Sequence, residues 1–167
     1  MLKKLVLAAV AAAATFMPVA AEVQPGTPSL LRTVEEGGIV VTINPDSCNT
    51  GTNHGTYQWA GLRREIVLCP GTSFDDLAHN TVRHEVIHAI QHCVNAARGT
   101  SMDTSVITDK DDFKEFVTEN LSQEEIERVL EVYPEDQWAT ELEAFAGANA
   151  YTAAQLEKFF REICIAS

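Results

Sequence analysis

The sequence predicts an α+β domain in which a small sheet of about three strands packs on one long helix and further helices follow. Three observations carry this expectation. Short β-branched segments fall between residues 39 and 69, one strongly amphipathic run extends over 73–98, and the periodic segments after it keep helical spacing.

The chain opens Met1-Leu2-Lys3-Lys4, continues through an apolar run from Leu5 to Ala14, and reaches Val19-Ala20-Ala21. A basic start, an apolar centre too short to span a bilayer and small residues at the cleavage positions predict a secretory signal peptide over 1–21. A secreted or periplasmic location follows, with no later membrane anchor. The mature chain would keep 146 residues, enough for one domain with a modest core. Loss of Lys3 and Lys4 takes the net charge from −12 to −14. This acidity argues against nucleic acid and anionic membrane surfaces as partners and is read as an aid to solubility, with a cationic substrate as the alternative; a monomer is expected.

Residues 22–38 contain Pro25, Gly26, Pro28, Gly37 and Gly38 with little periodicity, and are expected to form an extended N-terminal arm before a domain over 39–167. Ile39-Val40-Val41-Thr42-Ile43 reads as a strand ended by Asn44-Pro45-Asp46. Tyr57-Gln58-Trp59 and Glu65-Ile66-Val67-Leu68-Cys69 read as two more, stopped by Pro70-Gly71. Ser73 or Asp75 would cap a helix of about 22 residues that stops at Arg98-Gly99. Thr100 to Asp112 is polar and expected as loop. Phe113, Phe116 and Val117, then Ser122-Gln123-Glu124-Glu125 leading to Ile126, Val129 and Leu130, indicate two short helices whose role is to span the distance to the next one. That next helix starts near Pro134 and carries Trp138, Glu141, Phe145 and Ala148. A last helix runs from about Thr152 to Cys164. Four cysteines in an exported chain predict two disulfides, and of three pairings Cys48 with Cys69 and Cys93 with Cys164 is favoured.

The long helix carries His84-Glu85-Val86-Ile87-His88, an H-E-x-x-H motif. Histidines four apart lie one above the other, so both imidazoles can reach one metal ion with Glu85 beside them. Val82, Val86, Ile87, Ala89, Ile90, Cys93 and Val94 form the apolar stripe, and the histidines lie off its edge. A catalytic zinc usually has a third protein ligand and an open position for water. His92 continues the ladder but stands about 12 Å along the axis from His84. Glu141 is the better candidate, because it sits in the middle of the apolar face of its own helix, where a carboxylate must be neutral, paired or metal-bound. Glu143 is the alternative, on a face where solvent is expected. An arginine such as Arg83 or Arg161 could instead pair with Glu141.

The motif over 84–88, together with Glu141-Leu142-Glu143-Ala144, resembles the zincin metallopeptidases whose third ligand is a glutamate on a later helix, the gluzincins. Ala89-Ile90-Gln91, Gly55-Thr56-Tyr57 and Ile66-Val67-Leu68 are similar to small bacterial members, so the resemblance covers roughly residues 55–150. It implies a zincin-like fold, zinc held by His84, His88 and Glu141, and Glu85 as general base in peptide-bond hydrolysis. Many relatives place an acidic residue four positions after the ligand glutamate to support a ligand histidine. Here that position is Phe145, and the support must come from elsewhere. A peptide or protein substrate is expected, with endopeptidase action favoured. Tyr57, His54, His92 and Tyr151 are candidate donors to the developing oxyanion. The rival readings are a non-catalytic zinc-binding or partner-binding protein, which would have no use for Glu85, and an exported structural protein with an accidental motif.

Overall fold

The computed structural model describes residues 26–50, 54–61, 63–70, 76–101 and 104–166. The signal peptide expected over 1–21 and the two proposed caps, Ser73 and Asp75, lie outside them. The fold is α+β, with one three-stranded mixed sheet and six α-helices among the described residues.

The extended arm expected over 22–38 is corrected by helix α1, Thr27–Glu36. Pro28 stands in the first turn, where its missing N–H costs nothing, and Gly37 stands just past the end; these two breakers therefore bound a helix instead of preventing one. Leu30 and Val34, one turn apart, are fully buried. Strands β1 (Val40–Ile43), β2 (Gly55–Ala60) and β3 (Arg63–Leu68) follow. β3 is central, parallel to β1 and antiparallel to β2, with Ile66 opposite both Val41 and Tyr57. β2 is thus an edge strand. The Cys48–Cys69 disulfide ties the turn after β1 to the end of β3, and Cys93–Cys164 joins the long helix to the last turn, the pairing the sequence favours.

Helix α2, Asp76–Arg98, is 23 residues long. Val82, Val86, Ala89, Ile90 and Val94 are buried with Ile66 and Leu68 of the sheet, Leu30 and Val34 of α1, and Leu156 and Phe160 of the last helix. Burial is wider than the apolar stripe, since Arg83, His84, Glu85, Gln91 and Asn95 are also buried. Helices α3 (Lys110–Asn120) and α4 (Gln123–Val132) are more than spacers: Val117, Leu121 and Val129 form a second small core with Leu142 and Ala146. Asp109 caps α3, and Ser122 with Glu125 forms a capping box on α4.

Helix α5, Trp138–Ala150, crosses α2 closely. A Cβ on Gly147 would stand 2.7 Å from Ile87 Cδ1, and Ala144 and Ala148 are fully buried beside it. Helix α6, Ala153–Phe160, is capped by Thr152 with Gln155 and runs into a wider turn, Arg161–Ile165, that delivers Cys164 to Cys93. It packs on α1, where Arg161 reaches Glu36 (2.8 Å) and Thr33 Oγ1 (2.7 Å). No described helix is long and apolar enough to cross a membrane.

Candidate metal centre

The crossing of α2 and α5 brings His84, His88 and Glu141 together, with one ligand atom from each within 4.8 Å of the others. Nε2 of His88 lies 3.0 Å from Nε2 of His84. Glu141 Oε2 is 3.3 Å from His84 Nε2, and Oε1 is 3.4 Å from His88 Nε2. Ligands at zinc's usual bond lengths, tetrahedrally disposed, are separated by roughly 3.3 Å, close to each of these contacts, the two from Glu141 being made by different carboxylate oxygens. Glu141 Oε2 is buried and has no well-directed hydrogen bond. The donor set of two imidazoles and one carboxylate suits zinc by type.

Burial drives the His84 pKa down, helped by repulsion from His88. For His88 burial works the same way, but Glu141, Glu85 and Gln91 outweigh it and raise the value. Burial would raise Glu141, yet the two imidazoles beside it hold it well below the usual carboxylate range. The carboxylate therefore stays charged beside the two imidazoles.

Arg83 and Arg161, the cations weighed as partners for Glu141, are elsewhere. Arg83 donates to the Ala148 carbonyl oxygen (2.7 Å), and Arg161 bridges α6 to α1. Glu143 overturns the expectation of solvent exposure: it is 5% exposed, more deeply buried than Glu141. It accepts hydrogen bonds from Gln91 Nε2 and from the backbone N–H groups of Val106 and Ile107, all at 2.8 Å. The segment at 104–107 covers the face that helical spacing alone leaves to water.

Glu85 is buried beside the edge strand. Burial is the first cause that pushes its pKa up, to about 7, with Glu141 adding to it; His88 and the Tyr57 backbone N–H, which bonds the carboxylate, oppose. Gly55 makes this approach possible, since a Cβ there would lie 3.0 Å from Glu85 Oε1 and 2.5 Å from Thr81 Cγ2.

A cleft of about 280 Å³ opens onto His88 and Glu141, with Tyr57 and Trp59 of β2 on one side and Tyr133, Gln137 and Thr140 on the other. Of the oxyanion candidates, Tyr57 and His92 line it. The Tyr57 hydroxyl is buried without a hydrogen-bond partner, its pKa raised to about 12 by burial against the opposing charge of Arg64. His92 stands edge-on to both Tyr57 and Trp59 and is not part of the His84, His88 and Glu141 group. His54 is exposed at the start of β2, and Tyr151 packs against Phe116 and Phe159; neither lines the cleft. Tyr133 is the residue the sequence reading passes over. Its hydroxyl is a hydrogen-bonding neighbour of Glu141, and burial, with the charges of Glu141 and Glu85, holds its proton on. Its position at the end of α4 offers no periodic signal.

Comparison with protein-family models, with curated proteins and with solved structures finds no match to this chain.

Proposed function

We propose that the protein is an exported zinc-dependent metallopeptidase with a zincin-like fold of the gluzincin kind. The observation that carries this is the convergence of His84, His88 and Glu141 on one point, with the buried Glu85 carboxylate alongside. His84, His88 and Glu141 would hold zinc, which when bound activates a water and polarises the peptide carbonyl. Glu85 takes the proton as the water oxygen attacks the carbonyl carbon. It then returns the proton to the amine nitrogen as the C–N bond breaks. Tyr133 and Tyr57 bring phenolic hydroxyls to the cleft that can donate to the carbonyl oxygen as it gains charge. β2 is an edge strand among the described residues and its Tyr57 and Trp59 line the cleft, so a peptide can lie along it as an added strand. Export is supported by the two disulfides and by the signal-like start of the chain.

The test is metal content by elemental analysis, followed by cleavage of a peptide library. One zinc per chain is expected in wild type and in Glu85→Gln, and none in Glu141→Ala. Cleavage is expected in wild type, with a loss of about 10²-fold or more in Glu85→Gln. Folded wild type that takes up no zinc would end this proposal. Zinc uptake with no peptide cleaved would leave a non-catalytic zinc-binding protein.

A further inference from the structure

The two imidazoles of the centre are held unequally. His84 Nδ1 is buried without a hydrogen-bond partner, and its ring lies against Phe145, with centroids 4.2 Å apart. His88 Nδ1, by contrast, is 2.8 Å from Gln91 Oε1. The other end of the Gln91 amide meets acceptors: Nε2 lies 2.8 Å from Glu143 Oε2 and 3.0 Å from the Thr140 carbonyl oxygen.

That arrangement allows one orientation of the amide. Neither a carboxylate nor a carbonyl can donate, so the NH₂ end must face them, and a flipped amide would set Oε1 against two other acceptors. Gln91 is 1% exposed, which leaves no bulk solvent to relieve a flip. With both amide hydrogens committed, Oε1 faces His88 and can only accept. The proton of the neutral imidazole therefore sits on Nδ1, and the Nε2 lone pair points at His84 and Glu141. Glu143 is itself fixed by the Val106 and Ile107 N–H groups, one on each oxygen.

We propose that Glu143, acting through Gln91, sets the tautomer and ring orientation of His88 for metal binding, so that both are positioning residues of the centre. Ligand histidines in zinc proteins are commonly oriented by a direct hydrogen bond to a carboxylate, a carbonyl or water. Here an amide is interposed, and the carboxylate behind it also fastens the 104–107 segment. The inference about zinc rests on the metal site proposed above; the inference about the tautomer does not.

The experiment uses wild type, Gln91→Met and Glu143→Gln, each checked for folding by circular dichroism. Two readouts are taken: the His88 tautomer by long-range ¹H–¹⁵N correlation in metal-free protein, at a pH high enough that the imidazole is neutral, and zinc affinity by competition with a chelator. Wild type is expected to show Nδ1–H at His88. Gln91→Met should shift the tautomer toward Nε2–H and weaken zinc about 10–100-fold. Glu143→Gln, which keeps the shape but weakens the anchor, should move both readouts the same way by less, and it carries the test if Gln91→Met does not fold. An unchanged tautomer in the folded variants overturns the relay, even if zinc weakens, because the loss would then come from packing alone. Wild type without zinc would defeat the peptidase reading while the tautomer still decides the relay.

Discussion

Glu141 and Glu143 lie two residues apart on α5 and have opposite surroundings. One carboxylate faces two imidazoles and a cleft; the other is closed in by an amide and two backbone N–H groups. Truncating Glu141 should therefore cost metal, whereas truncating Glu143 leaves buried donors unpaired and should cost stability as well. Glu85 gives a prediction with a definite pH window. Its folded-state pKa lies near 7, above the ordinary 4.5, so the folded protein retains a proton that the unfolded chain has released between those values. Stability of metal-free protein thus falls as pH rises from 4.5 to 7 on account of this group, and above 7 the full cost of a buried charge is present. Glu85→Gln removes that cost. In chelator, urea unfolding should show the variant more stable than wild type by about 1–3 kcal/mol at pH 8, with no difference near pH 4. A difference that is the same at both values would show that the carboxylate is not held in a desolvated state.

At the scale of elements, the centre depends on how closely β2 and α5 approach α2. Gly55→Ala puts a methyl group against Thr81 and Glu85, so the strand must withdraw or the carboxylate must shift. A loss of about 1–3 kcal/mol is expected. Adding Thr81→Ser removes the methyl carbon that the new Cβ meets at 2.5 Å and should restore part of it, measured by thermal melting of the two variants side by side. Much of this layer is legible in the sequence, because the strands are marked by short β-branched runs and α2 by an apolar stripe that faces the sheet and the helices packed on it. The meeting of His84, His88 and Glu141 is legible for the same reason: i, i+4 spacing and a carboxylate on an apolar face are local facts. Helix α1 is not, since its Pro and Gly residues carry the same composition as a linker and only their positions, at the start and just past the end, distinguish the two. Burial of Glu143 is not legible either. It depends on a non-periodic segment, 104–107, folding over a face that helical spacing leaves to water.

At the scale of the whole molecule, two disulfides and the pairing of α1 with α6 close the structure. Cys93–Cys164 spans 71 residues and Cys48–Cys69 spans 21. On a chain-entropy estimate, replacing the first pair by serines should cost about 4 kcal/mol and the second about 3 kcal/mol, read as shifts in the urea midpoint. Equal or reversed losses would mean that strain or residual structure outweighs loop length. The packing of α1 on α6 also has a temporal side. Thr33 bonds Glu157, 124 residues further along the chain. At ordinary rates of translation α1 leaves the ribosome roughly 6–25 s before the helix that covers it. Through that interval Leu30 and Val34 lack their final partners, Leu156 and Phe160, so the principal core cannot close until that helix has emerged. For the exported protein proposed above this delay is an advantage: closure of the principal core and of the Cys93–Cys164 disulfide waits for α6 and the turn after it to arrive.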